Sequence, residues 1–185
     1  MKRGIDLSHW NNWQDIFKNE TDFIIAKLTE GKTKVDYTAY YYALFADLLE
    51  VPFGVYHFAH PENNDVMDEV SNFMTNYKKF KEKAPALIAL DIEAEALTLT
   101  NGDLDYWCFE WMQTIEKLTG AEVVLYCSQS VCKRFTNRLA RNFGLWVARY
   151  RKEELGYGDV TPWNTARIWQ YDSKGTDKNI LYERS

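Results

Sequence analysis

The stretch Ala86-Leu87-Ile88-Ala89-Leu90-Asp91-Ile92-Glu93 decides the fold. An apolar run of strand length that closes on acids is the pattern of a strand buried on both faces, and such strands belong to parallel sheets covered by helices. Alternation along a strand puts Leu87, Ala89, Asp91 and Glu93 on one face and Ile88, Leu90 and Ile92 on the other. Two steps of strand rise separate the Cα atoms of Asp91 and Glu93 by about 7 Å. Crowded carboxyl groups at the end of a buried strand repel one another and lose hydration, which raises one pKa and leaves the other group ionised. That pairing suits acid/base chemistry on a neutral bond.

Working outward, seven further short apolar runs accompany this one. Strands are expected over 3–7, 23–28, 53–58, 87–92, 122–127, 145–149, 167–171 and, most weakly marked, 180–182. Segments with apolar residues at three- and four-residue spacing follow the first five, over 13–18, 37–49, 66–81, 104–118 and 131–141. Residues 151–165 carry two Gly, one Pro and mixed charge without a helical stripe, so the last strands are joined by loops. The expected fold is α/β: a modified TIM-type barrel of five βα units followed by three strands, (β/α)5(β)3, with residues 1–185 forming a single catalytic domain. In such barrels chemistry gathers at the carboxyl ends of the strands.

Length and charge narrow the function. A chain of 185 residues can bury roughly 70% of its unfolded surface in one core. A net charge of -5 argues against nucleic acid, whose phosphates demand a concentrated basic face. The cluster Lys78, Lys79, Lys81 and Lys83 is broken by Phe80 and Glu82 and reads as a solvated helix end. The apolar stretch 37–56 is interrupted by Asp47, Glu50, Pro52 and Gly54, so no membrane insertion is expected. Met1-Lys2-Arg3 leads straight into a strand, from which no signal peptide is expected. Cys108, Cys127 and Cys132 form an odd set without CxxC spacing and are expected to be reduced and structural. A monomer without metal or cofactor is expected.

Alternation also nominates the side chains at the barrel mouth. It selects Asp6 and Ser8, Lys27, Tyr56 and Phe58, Asp91 and Glu93, Tyr126, Trp146 and Tyr150, and Gln170. Each has a bland reading: Asp6 as a turn or cap residue, Lys27 as a charge neutraliser, the aromatics as core. Together they are harder to dismiss, because burying several charges offers no stability that an apolar core would not match. Glu30, before Gly31, reads as a loop residue with its head in water, and His9, His57 and His60 lack metal spacing and read as packing or hydrogen-bonding residues.

Six segments now carry a family resemblance. They are Gly4-Ile5-Asp6-Leu7-Ser8, Phe23-Ile24-Ile25-Ala26-Lys27-Leu28-Thr29-Glu30-Gly31, Gly54-Val55-Tyr56-His57-Phe58, Ala89-Leu90-Asp91-Ile92-Glu93, Leu145-Trp146-Val147-Ala148-Arg149-Tyr150 and Ile168-Trp169-Gln170-Tyr171. In this order they resemble glycoside hydrolase family 25, lysozymes that cut bacterial peptidoglycan at N-acetylmuramic acid. The resemblance implies a five-βα-plus-three-strand barrel and hydrolysis of the β-1,4 bond between N-acetylmuramic acid and N-acetylglucosamine with retention. It implies Glu93 as general acid and then base, Asp91 as nucleophile or as the group steering the substrate's 2-acetamido oxygen, and Asp6 as a third acid supporting positive charge on the sugar. Tyr56, Tyr126, Trp146, Tyr150, Lys27 and Gln170 would hold the glycan. A phage endolysin, released by a membrane-permeabilising partner to reach the cell wall, fits the expected lack of a leader.

The carboxyl end departs from the pattern. Family members finish on a Val-Asp-Leu-Asn-like strand whose Asp completes the acidic cluster, whereas this chain ends Asn179-Ile180-Leu181-Tyr182-Glu183-Arg184-Ser185, with Glu183 the candidate replacement. Two alternatives follow, a catalytically impaired barrel that binds cell-wall carbohydrate in the same groove, and a hydrolase using a metal at the acids.

Overall fold

The computed structural model describes residues 1–18, 21–80 and 84–183. Nine strands form one sheet: β1 (Lys2–Leu7), β2 (Phe23–Glu30), β3 (Lys34–Val35), β4 (Phe53–Phe58), β5 (Leu87–Asp91), β6 (Glu122–Ser128), β7 (Gly144–Ala148), β8 (Ile168–Asp172) and β9 (Asp177–Leu181). The order β1-β9-β8-β7-β6-β5-β4-β2 closes through a parallel β1–β2 pairing, so eight strands form a barrel and β3 is a short flap on β2. Only β9 runs antiparallel to both its barrel neighbours.

Helices α1 (Asp15–Lys18), α2 (Thr38–Leu48), α3 (Val66–Tyr77), α4 (Asn101–Thr119) and α5 (Asn137–Asn142) cover the outside. The expected first helix shrinks to one turn. The fifth breaks in two, a 3-10 turn over Gln129–Arg134 followed by α5, because the buried Asp105 carboxylate accepts hydrogen bonds from the backbone N–H and hydroxyl of Thr136. Thr136 in turn caps Leu139 N–H, fixing the start of α5 there. The expected helix 66–81 ends at Tyr77. Lys81 and Lys83 lie outside the described residues. Between β7 and β8 the chain is loop apart from one 3-10 turn at Glu153–Leu155, as its composition predicts. No helix among the described residues is long and apolar enough to cross a membrane.

Two apolar layers result from the alternation. Outward residues such as Ile5, Ile24, Val55, Ile88, Leu90 and Leu125 pack beneath the helices. Inward ones, Phe23, Ile25, Ala89, Val124, Tyr126, Trp146, Ala148 and Ile168, fill the barrel lumen. The lumen is a packed core, so only its upper end is free to hold a ligand. Gly4 marks the bottom: a Cβ there would lie 2.5 Å from the Phe23 carbonyl oxygen and 2.5 Å from its ring. Both neighbours are fixed by the β1–β2 ladder. Gly4→Ala is therefore expected to cost about 1–3 kcal/mol through overpacking, read as a lowered denaturant midpoint with an unchanged slope.

Candidate active site

The carboxyl ends of the parallel strands open into a cleft lined by Asp6, Tyr56, Asp91, Glu93, Tyr126, Trp146, Gln170 and Asp177. Seven of the eight were nominated by alternation. Asp177 was not, and Glu183, expected to complete the acid set, stands at the opposite end. There it lines a groove with Glu122, Gly144 and Arg167, residues at the starts of β6, β7 and β8. The reason is direction: β9 is antiparallel, so its first residue, not its last, reaches the mouth. Asp177 pairs directly across from Asp6 in the β1–β9 ladder. Two carboxylates face each other there, an arrangement that costs stability in a sheet.

A hydrogen-bond chain builds the floor. Asp6 Oδ2 accepts from Gln170 Nε2 at 2.9 Å and from Asn179 Nδ2 at 2.7 Å. Asn179, fully buried, accepts in turn from Trp146 Nε1 at 2.9 Å. The hydroxyls of Tyr126 and Tyr150 both donate to Gln170 Oε1, each at 2.8 Å. These bonds fix the amide orientation, with both nitrogens turned to Asp6. Trp146, packed edge-on against Tyr56 and Tyr126, is only 2% exposed and so is as much core as wall. Tyr150 stands half in solvent beside the cleft.

Asp91 and Glu93 share the face that the strand alternation predicts, although β5 ends at Asp91. Glu93 remains extended, and Ala94 then takes a left-handed φ of 49° to open a 3-10 turn, which leaves Glu93 on the rim. A non-glycine residue in that region stores strain, and it lies next to Glu93. Asp91 Oδ1 is buried and has no hydrogen-bond partner among the described residues.

Burial dominates the electrostatics. It pushes Asp91 well above the usual carboxylate range, helped by Glu93 and opposed by Lys27. Burial also raises Glu93, again against Lys27. Asp6 rises to about 6 through burial, held back by its Asn179 and Gln170 bonds, and Asp177 rises to about 7 through burial and the Asp6 charge. Four acids in one cleft thus retain protons that isolated carboxyls lose. Asp91, deeper and with one oxygen lacking a donor among the described residues, is the stronger proton holder of the strand pair. A donor reaching its bare oxygen reverses that order, since hydrogen bonds to a carboxylate favour its ionised form.

Lys27 stands beside the acids, its ammonium 4.6 Å from the Phe58 ring centre and 2.6 Å from Glu30 Oε2. Glu30 is not a solvated loop residue. It closes β2, and its other oxygen meets Lys34 at 2.6 Å and His60 Nε2 at 3.3 Å; against the opposing effect of burial, Lys27 first and then Lys34 and His60 draw its pKa down to about 2. A regular strand turns residues three apart to opposite faces. The register shift between Lys27 and Thr29 removes that difference.

The histidines sit in hydrogen-bond networks. His9 pairs with Asp36 at 2.8 Å, and His60 meets Glu62 at 3.0 Å. His57 points away from the mouth, between Thr29 and Glu69 at 2.7 Å each, with its ring stacked on Trp111. Its partner Glu69 is wholly buried and also accepts from His60 N–H and Asn64 Nδ2. His57→Ala is expected to cost about 3–5 kcal/mol, by leaving a buried carboxylate without its ring donor, while activity per folded molecule stays unchanged. Thermal melting and active-fraction kinetics separate the two. All three cysteines are buried free thiols.

The sequence model described as Glycosyl hydrolases family 25 matches residues 5–180. The chain belongs to glycosyl hydrolase family 25. Solved structures agree with the fold. The catalytic domain of endolysin ply40 from bacteriophage P40 of Listeria monocytogenes is 27% identical with a TM-score of 0.78, over 98% of this chain and 93% of that one. The muramidase from Acremonium alcalophilum is 24% identical, TM-score 0.84, over 100% and 95%. The bacterial lysozyme from Streptomyces coelicolor is 23% identical, TM-score 0.84, over 98% and 92%. No curated protein sequence matches the chain. As a family 25 member the chain is a glycoside hydrolase of the lysozyme type, and its acid cleft sits at the end of the barrel where such chemistry is built.

Proposed function

We propose that this chain is a retaining N-acetylmuramidase that cleaves the β-1,4 bond between N-acetylmuramic acid and N-acetylglucosamine in peptidoglycan. The observation that carries it is the convergence of four carboxyl groups with raised pKa values in one aromatic-walled cleft of a family 25 barrel. Glu93, at the rim, donates its proton to the departing glycosidic oxygen and later takes one from water. Asp91 offers its bare oxygen to a donor on the sugar's 2-acetamido group, or attacks the anomeric carbon itself. Either role requires Asp91 ionised, its proton passed to water as substrate binds, with Glu93 still protonated, the state that acid catalysis needs. Asp6 and Asp177 supply negative potential beneath the oxocarbenium-like transition state. Lys27 moderates the rise in both strand acids. Asp177, on the first turn-out of β9, supports an active enzyme over a binding barrel that has lost an acid.

Digestion of purified peptidoglycan tests the proposal. Borohydride reduction of the products is expected to yield muramitol, and proton NMR of the first product to show the β anomer. New N-acetylglucosamine reducing ends, or an α anomer formed first, would sink the bond assignment or the retention respectively.

A further inference from the structure

The loop after β1 displays an indole in solvent at the same end of the barrel as the acids. Trp10 is 84% exposed, and its one ring neighbour among the described residues is the His9 imidazole, tilted by 40° at 4.5 Å. The other exposed aromatics nearby behave differently: Trp13 lies flat on Phe45 at 5.7 Å, and Phe17 packs edge-on to both. Both faces of those rings are not left free. Single exposed apolar residues are ordinary, so exposure alone decides nothing.

What distinguishes Trp10 is the stiffness of the backbone that carries it. Ser8 Oγ accepts from Trp10 N–H at 3.3 Å, and Asn11 Oδ1 accepts from Ser8 N–H at 2.8 Å. The Asp36 carboxylate accepts from His9 N–H and meets its Nδ1, both at 2.8 Å. The Tyr42 hydroxyl reaches the carbonyls of Ser8 and Asn11, each at 3.2 Å. A loop pinned at four points holds the backbone that carries the ring, so only the indole's own side-chain torsions remain to be ordered on binding. The loop also belongs to the mouth: it leaves β1 two residues after Asp6, and the Asp36 charge that anchors it is felt at the Tyr56 hydroxyl on the cleft wall.

We infer that Trp10 is the stacking platform of an outlying glycan subsite, taking the apolar face of a pyranose ring beyond the two sugars that flank the scissile bond. The inference rests on the muramidase reading for its ligand, a sugar polymer long enough to pass from the acid cleft to the rim. Flat aromatic faces suit pyranose C–H surfaces, and an indole offers the largest such area of any side chain.

Affinity for peptide-free glycan tests this in a Glu93→Gln background, which keeps the ligand intact. Trp10→Ala is expected to weaken binding of an octasaccharide about tenfold and leave binding of a disaccharide unchanged, while Trp10→Phe retains most of the octasaccharide affinity. Unchanged octasaccharide binding overturns the inference, and so does an equal loss on both ligands, which would place the effect in the cleft or in folding. Hydrolysis of the same octasaccharide by the wild type is measured alongside. Its absence would defeat the muramidase reading while the binding comparison still judges Trp10.

Discussion

Glu93→Gln is expected to lower turnover on peptidoglycan by about 10³-fold or more, with melting temperature and cell-wall binding essentially unchanged. The amide keeps the size of the side chain and its place on the rim, but it has no proton to give the leaving oxygen and cannot later take one from water. General acid–base catalysis by one positioned group contributes typically 10²–10⁴-fold, and in the proposed mechanism the same group serves two steps. Structural cost is small because Glu93 stands on the rim and forms no ion pair among the described residues. The measurement is initial rate on purified walls beside a sedimentation binding assay. Retention of near-normal lysis would remove Glu93 from the chemistry. Loss of binding together with rate would instead make it a ligand contact.

The companion substitution Asp91→Asn is expected to impair hydrolysis severely, because it removes the negative charge that the proposed mechanism sets beside the reacting sugar. In the ligand-free protein, burial places the more strongly held proton on Asp91 and not on Glu93, the reverse of what catalysis requires. Alternation shows only that the two acids share a face, and neighbouring charges alone do not say which acid is neutral. The order came from depth, a property of where the strand ends relative to the rim. Because the Glu93 charge acts on Asp91, a bell-shaped pH profile of kcat/KM is expected to report apparent values for the pair, not for either residue.

Much of this arrangement was legible in the chain. Period-two alternation assigned the lumen and the mouth together, because in a barrel both are the same face read at different heights. Residues 177–179 escaped notice because Asp-Lys-Asn has the composition of a turn, and the β-propensity of a strand is really the fit of its side chains to their surroundings. At a polar mouth the fit reverses, and Asp177 and Asn179 are favoured there. Glu183 is the candidate when the last strand is set at 180–182 and matched to the family's closing strand, whereas β9 runs over Asp177–Leu181 and its antiparallel course brings Asp177 up beside Asp6. Glu30 was missed for a related reason, since a register shift that moves one side chain across the sheet leaves no mark in the spacing of residues.

Asp177→Asn is expected to stabilise the protein at alkaline pH while lowering its activity about 10²-fold. Folding raises Asp177 to about 7 and Asp6 to about 6, against 3.8 for an unburdened aspartate. A carboxyl with a raised folded pKa is protonated more readily in the native state than in the unfolded chain. Its contribution is therefore fully present below about pH 4 and is lost as pH climbs to the folded value, because the native state must then carry a poorly solvated charge. The lowered groups Glu30, Asp36 and Glu153 act in the opposite sense, and their contribution is lost as pH falls through the range below ordinary carboxylate values. Stability is thus expected to peak between these limits, near pH 5, and to decline towards pH 8. At pH 8 the variant removes one of two carboxylates that face each other across β1 and β9, a gain of about 1–2 kcal/mol, or roughly 3–6 °C in melting temperature. At pH 4.5 the native aspartate is already neutral and the gain shrinks towards zero. In the proposed mechanism activity moves the other way, since the negative potential that burdens the cleft is what an oxocarbenium-like sugar requires. Melting curves at the two pH values, set beside initial rates, check both halves. Equal melting shifts at pH 4.5 and 8 would show that Asp177 destabilises by something other than its charge.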